Sequence, residues 1–223
     1  MRGIPRMART SVRYFISLAL ISTSSSCSPE VSVSQGTKAE PLALILILGQ
    51  SAGFGREGYL DCRKELIASC RELNPGVLVG ILECAPKSRW ILPFGSSRET
   101  GPSGLTDPAD RPEGSCEVLG ALREAHTAMS SDPRMAGIRK KLVVLFADGD
   151  ADATHVEDQV RQMAGQGEVL TTLCLVTPRF DPVFMSQMAT WGAGRFYFSS
   201  SSTKVPSLFR SELRRVFAST PKE

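Results

Sequence analysis

The residues best placed for chemistry lie in a short Gly/Ser turn that follows a run of apolar residues. The turn Gly49-Gln50-Ser51-Ala52-Gly53 comes directly after Leu42–Leu48, seven consecutive apolar residues without alternation. Such a run predicts a strand buried on both faces of a sheet. Ligands in open α/β sheets bind in the loops at the carboxyl ends of strands, so we expect any local site to begin near Ser51.

One hypothesis for this turn is a serine hydrolase. The turn matches the G-x-S-x-G nucleophile elbow, in which glycines allow a strained turn that exposes the serine hydroxyl. The chain has two histidines, and Asp152 and His155 have the D-x-x-H spacing that resembles a family of small lipases and esterases. His126 lies within a predicted helix, where a surface or hydrogen-bonded role is expected. Against the hypothesis, a single predicted strand precedes Ser51, and two strands and two helices follow His155.

The elements that must position the turn alternate between helices and strands. After the first strand, apolar spacing predicts helices over residues 57–72, 116–129, 153–164, 182–190 and 205–217. Strands are predicted at 77–82, 88–94, 141–147, 168–176 and 195–198. The first two of these strands are close enough to form a hairpin, which gives one antiparallel edge strand. The pattern predicts a three-layer α/β sandwich around a mostly parallel sheet.

Composition places the chain among ordinary globular proteins. Its 223 residues are 42% hydrophobic and 22% charged, which suffices for one good core. We expect one main domain over residues 41–220. The formal charge is +3, but four arginines and no acidic residue precede Cys27, so the remainder carries −1. Because no basic stripe with interleaved aromatics remains, we expect no nucleic-acid partner.

The first 26 residues predict a secretory signal. They combine early arginines with the apolar run Tyr14–Ile21, which is too short to span a bilayer, and then small residues. The stretch Ser24–Cys27 resembles a bacterial lipoprotein cleavage site, although Ser24 replaces the usual leucine. Residues 27–40 are polar and predict a disordered tether. We therefore expect an exported protein, periplasmic or anchored to a membrane through Cys27 or an uncleaved leader.

The six cysteines do not predict a disulfide framework. Cys62 and Cys70 share one face of a predicted helix, roughly 12 Å apart, which is too far to bond. Cys84 ends one predicted strand and Cys174 lies inside another, where a free thiol acts as a small apolar side chain. We expect these four to be core thiols, which counts mildly against an oxidising compartment. Four aromatic residues are also expected in the core or against helices: Trp90, Trp191, Phe196 and Phe198.

From Leu42 to about Phe217, the order of elements resembles a von Willebrand factor type A (vWA) domain, particularly the bacterial type. The resemblance rests on the first strand and its turn, the hairpin Val77–Phe94, the strand end Phe146-Ala147-Asp148-Gly149 and the late run Met188–Phe198. It implies a Rossmann-like fold and a non-enzymatic, protein-binding function.

The family's metal-ion-dependent adhesion site (MIDAS) is built from three loops that hold Mg²⁺ with oxygen ligands. The first loop, D-x-S-x-S in the family, retains only Ser51 here. The second loop's threonine falls at Ser115 or Cys116, and the third loop's aspartate matches Asp148. Losing one carboxylate and one hydroxyl from five protein groups predicts a degenerate site with weak metal binding or none. Glu117 could replace the missing charge.

The resemblance therefore predicts an interaction module without a cofactor. The Gly/Pro-rich residues 95–114 would form a long surface loop beside the binding face. The serine hydrolase is the alternative hypothesis. The expected partner is a protein, and the binding face is formed by Gln50, Ser51, Ser115, Glu117 and Asp148.

Overall fold

In the computed structural model, the described residues are 41–49, 56–74, 76–95, 116–148, 155–178 and 180–218. The strands are β1 Leu42–Gly49, β2 Leu78–Cys84, β3 Arg89–Leu92, β4 Lys140–Phe146, β5 Glu168–Leu175 and β6 Ala193–Ser199. The α-helices are α1 Arg56–Arg71, α2 Val118–Ser131, α3 Val156–Gly165, α4 Pro182–Trp191 and α5 Val205–Ala218. A short 3-10 helix, Pro133–Met135, follows α2.

The first strand lies at the centre of the fold because both of its faces are covered. Each residue from Leu42 to Leu48 is at most 1% exposed. Successive side chains of a strand point to opposite faces. The even-numbered leucines pack with α1 and α5, whereas Ala43, Ile45 and Ile47 pack with α2, α3 and α4. The unbroken apolar run thus reflects burial on both sides, as the sequence predicts.

The sheet has the strand order β3-β2-β1-β4-β5-β6. Neighbouring strands are parallel except for β2 and β3, which form the predicted antiparallel hairpin. This arrangement confirms the mostly parallel α/β sandwich with one antiparallel edge strand. Gly49 pairs with Cys84, and Leu48 pairs with Phe146, so the carboxyl ends of three strands lie level with one another.

The aromatic residues only partly follow the prediction. Trp90, Trp191 and Phe196 are half-buried and pack against the core. Phe198 is 59% exposed, so its predicted core position is wrong. The reason is topological, because β6 ends the sheet and Phe198 lies near the end of that strand.

Several predictions fall outside the described residues. They concern the leader 1–26, the tether 27–40, residues 96–114, and the side chains of Gln50, Ser51, Ser115 and Asp152. Within the described ranges, no helix combines the length and apolar character needed to cross a bilayer.

Candidate site at the carboxyl edge of the sheet

The candidate site lies where β1, β2 and β4 end together. β1 ends at Gly49 and β2 at Cys84, while β4 continues through Ala147 to Asp148. The amide N–H of Ala147 donates to Leu173 O at 3.1 Å, which extends the contact with β5 beyond the strand. This edge is the one where the sequence predicts a site.

Gly49 leaves almost no room for a side chain. A Cβ at this position would lie 2.8 Å from the carbonyl oxygen of Phe146 and 3.0 Å from Cβ of Ala147. Both atoms belong to the chain of β4 or its direct continuation, and the Phe146 carbonyl is backbone that cannot rotate aside. A side chain at Gly49, the residue that the resemblance aligns with the family's first-loop aspartate, would therefore require the neighbouring chain to shift.

A disulfide bond joins Cys84 to Cys116, with an S–S distance of 2.09 Å and a sequence separation of 32. The bond ties the end of β2 to the segment just before α2. Both cysteines are buried, at 0% and 5% exposure. The prediction that Cys84 is a free core thiol is wrong, because the fold brings two distant strand and helix ends together. Cys116, one candidate for the second-loop ligand, has its sulfur committed to this bond.

The other predicted core thiols are confirmed. Cys62, Cys70 and Cys174 are buried and keep their thiols, since they do not belong to the disulfide. Burial raises the pKa of Cys62 to about 12. Burial also raises the pKa of Cys174, and the nearby Asp148 carboxylate raises it further. Cys174 therefore supplies a neutral, protonated thiol beneath the site.

Asp148 is held by the loop that follows β5. Asp148 is buried, with 2% of its surface exposed. Oδ2 accepts a hydrogen bond from Thr177 Oγ1 at 3.2 Å, and its main-chain oxygen accepts from the N–H of Asp181 at 3.0 Å. Asp181 in turn caps α4, since its Oδ1 accepts from the N–H groups of Val183 and Phe184 at 3.0 Å each.

Glu117 lies at the N-cap of α2 and is exposed. Its carboxylate lies over the first turn of its own helix, because Oε2 would be only 2.7 Å from a Cβ placed at Gly120. A carboxylate at this position is favoured by the helix dipole. Gly120 is thus the residue that gives the Glu117 carboxylate its space.

The surroundings of the two histidines, His126 and His155, differ. His155 is exposed and has φ 61° at the N-cap of α3, without a capping hydrogen bond from its side chain. His126 is 9% exposed, and its Nδ1 lies 3.0 and 3.1 Å from the two carboxylate oxygens of Glu168. Burial raises the pKa of Glu168, while the hydrogen bond and charge of His126 oppose that rise. His126 is therefore the hydrogen-bonded residue that the sequence predicts.

The structure describes two of the five predicted face residues, Glu117 and Asp148, at this edge. Sequence reasoning missed Thr177 and Asp181, which hold Asp148 in place. Asp181-Pro182 is an N-cap signature that could have located the second of them. Within the described ranges, no group of three or more His, Cys, Asp or Glu residues could hold a metal ion.

No protein-family model and no curated protein matches the amino-acid sequence. Solved structures do match in fold. An aerotolerance-related membrane protein from Bacteroides fragilis has a TM-score of 0.61 and 15% identity, over 78% of this chain and 98% of that one. The ArnB paralog VWA2 from Sulfolobus acidocaldarius has a TM-score of 0.58 and 14% identity, over 77% and 44% of the two chains.

Proximal thread matrix protein 1 from the mussel byssus, solved with a zinc-occupied MIDAS motif, has a TM-score of 0.58 and 15% identity. That match covers 81% of this chain and 48% of the mussel protein. Together with the strand order, these similarities show that the chain has the α/β fold of vWA domains. The sequence-based resemblance is confirmed at the level of the fold.

Proposed function

We propose that this protein is an exported, non-enzymatic interaction module of the vWA type. Its carboxyl-edge face, formed by Gln50, Ser51, Ser115, Glu117 and Asp148, binds a protein partner with little or no metal. The observation that carries the proposal is Gly49, which has no carboxylate and where even a Cβ would lie 2.8 Å from the Phe146 carbonyl oxygen.

The second and third loops support the same conclusion. Cys116 offers no thiolate ligand because its sulfur is bonded to Cys84, which leaves the hydroxyl of Ser115 as the second-loop candidate. Asp148 already accepts a hydrogen bond from the hydroxyl of Thr177. Mg²⁺ demands near-octahedral oxygen coordination, and this donor set does not fit that requirement. The partner is then recognised by hydrogen bonds and surface shape without a bridging cation.

The leader and the disulfide both favour export. Disulfides form and persist in oxidising compartments such as the periplasm and are rare in the cytosol. The Cys84–Cys116 bond therefore fits the secretory signal predicted from residues 1–26. Lipid attachment at Cys27 would hold the domain at a membrane surface, with residues 27–40 as the tether between them.

Calorimetry with Mn²⁺ tests the metal-poor face. We expect no binding stronger than a dissociation constant of roughly 100 μM, which corresponds to about 5.5 kcal/mol. Tighter binding that Asp148→Ala abolishes, and that Asp61→Ala leaves intact, would contradict the proposal. Asp61 is an exposed acid on α1 and serves as the matched control.

Site-specific photo-cross-linking tests the partner face. A photoreactive residue at Glu117 should capture a partner in the native cell envelope. The same residue at Arg139, which is exposed just before β4 at the opposite edge, should not. Equal capture from both positions, or capture only from Arg139, would contradict the proposed binding face.

Covalent labelling by a fluorophosphonate probe tests the enzyme alternative. The fold does not favour a hydrolase, because the candidate serine follows the first strand of a vWA-like sheet. We therefore expect no labelling. Labelling that Ser51→Ala abolishes would replace the interaction module with a serine hydrolase.

A further inference from the structure

Apolar side chains gather near the end of β6, the last strand of the sheet. Of the three large apolar side chains exposed in the described ranges, Phe198 (59%) lies on β6 and Val176 (41%) follows β5 beside Ser199, whereas Val183 (64%) lies in the first turn of α4. The ring of Phe198 lies 5.5 Å from that of Phe196 and 6.1 Å from that of Phe180. Apolar groups exposed together on a soluble domain usually mark a surface that binds a partner.

The main chain of β6 adds hydrogen-bonding groups to this surface. Among the described strands, β6 pairs with β5 alone. The carbonyl oxygen of Ser199 accepts from the N–H of Val176 at 2.8 Å, so Ser199 directs its main chain towards β5. The direction alternates along a strand, and Tyr197 therefore also faces β5. By the same alternation, the N–H and C=O groups of Phe196 and Phe198 face away from β5.

The second half of β6, from Phe196 to Ser199, has few of the features that usually prevent strands from pairing. Proteins protect their sheet edges with short strands, prolines, bulges or charges. The opposite edge strand, β3, has only 4 residues, and its Arg89 is paired with Glu83 at 2.5 Å. β6 has 7 residues, contains no proline and no acid, and carries Arg195 as its single formal charge. Its pairing with β5 has a register shift between Leu170 and Thr172, opposite the first half of β6, and is regular from Phe196 to Ser199, the part proposed to pair.

We propose that β6 is the interface through which two copies of this chain pair. The two strands run antiparallel and join their sheets into one continuous sheet. Phe196 lies opposite Phe198 of the partner subunit, and Tyr197 lies on the two-fold axis. This dimer does not rest on the proposed function of the carboxyl-edge face.

The strand is complementary to itself in this register. Phe196 and Phe198 both direct their main-chain groups outward, so each pairs with the other as a hydrogen-bonded pair. The aromatic side chains meet across the interface, a pairing that stabilises antiparallel sheets. Arg195 meets Ser199 of the partner subunit, so like charges are not opposed. A second copy related by a two-fold axis thus pairs the outward main-chain groups, packs the aromatic rings together and keeps like charges apart.

Sedimentation velocity on the full chain tests the dimer. Phe198→Lys should raise the dimer dissociation constant at least tenfold, and Phe196→Glu should have the same effect. Mixing the two variants should restore dimers, because the new lysine and glutamate lie opposite each other in this register. Val183→Lys is the control, since it removes exposed apolar surface outside the strand and should change the dissociation constant less than twofold.

Cross-linking provides a measurement that does not depend on these charges. Residues at a non-hydrogen-bonded antiparallel pair have Cα atoms about 4.5 Å apart, which suits a disulfide. Tyr197→Cys should therefore form covalent dimers on mild oxidation, whereas Arg195→Cys should not. A chain that stays monomeric at about 100 μM, or a dimer that Phe198→Lys leaves intact, would overturn the proposal.

Discussion

Replacing Gly49 by aspartate distinguishes a closed metal site from one that merely lacks a ligand. If the site were intact apart from the missing carboxylate, Gly49→Asp would restore the family's first-loop residue. The protein would then bind Mn²⁺ and become more stable in its presence. A ligand at 100 times its dissociation constant adds about 2.7 kcal/mol to the free energy of unfolding.

The structure predicts the opposite result. A Cβ at residue 49 would lie 2.8 Å from the Phe146 carbonyl oxygen, so the β1 and β4 backbones must separate at the centre of the sheet. Overpacking of this kind costs about 1–3 kcal/mol. A carboxylate beside a carbonyl acceptor adds the cost of a buried polar group without a donor, about 1–3 kcal/mol more. We expect Gly49→Ala to lose about 2 kcal/mol and Gly49→Asp about 4 kcal/mol.

Urea unfolding followed by tryptophan fluorescence measures both variants, with and without Mn²⁺. Gly76→Ala is the matched control, because its Cβ would meet nothing within 4 Å. That substitution should change the free energy of unfolding by less than about 0.5 kcal/mol. Wild-type stability in Gly49→Asp, or a Mn²⁺-dependent gain of stability in that variant, would refute the steric argument.

Further predictions concern the disulfide, the buried thiols and a buried carboxylate. Cys84→Ala with Cys116→Ala should lower the free energy of unfolding by about 3–4 kcal/mol in urea titrations, because the bond closes a loop spanning 32 positions. With a pKa of about 12, Cys62 should resist iodoacetamide at pH 8 until urea unfolds the protein; rapid native labelling would contradict its burial. For Glu212, burial raises the pKa, but hydrogen bonds from Arg215, Tyr197 and Thr171 outweigh burial and hold it below 4.5. Its stabilisation is present above pH 4.5 and is lost as the pH falls, so Glu212→Gln should cost about 2 kcal/mol at pH 7 and progressively less in acid.

The sequence predicts the layers of this fold because burial leaves a local pattern. The uninterrupted apolar run of β1 predicts a strand covered on both faces, and the helical spacing of residues 116–129 and 205–217 predicts helices that can cover a sheet. The strand order cannot be predicted in this way, because alternating helices and strands indicate parallel strands joined by crossovers but not which strands are neighbours. The order of the strands around β1 was not predicted and is given by the structure.

Features that depend on contacts between distant segments could not be predicted from the sequence. Cys84 and Cys116 are separated by a hairpin and a long Gly/Pro-rich stretch, and only the finished sheet brings them together. The exposure of Phe198 likewise follows from the place of β6 at the edge of the sheet, which alternation along the strand does not encode. Thr177 could not be assigned to Asp148 without knowing that β4 and β5 are neighbours.

The loops at the carboxyl edge of the sheet are held together by protein groups. In a MIDAS, one cation joins groups from three loops. Here protein groups make such connections directly: the Cys84–Cys116 bond fastens the start of α2 to β2, and Thr177 fastens Asp148 to the loop after β5. A face organised in this way should keep its shape when chelators remove divalent cations. Reduction of the disulfide is instead the treatment expected to loosen it, and hydrogen exchange at the amides around Glu117 would measure that difference.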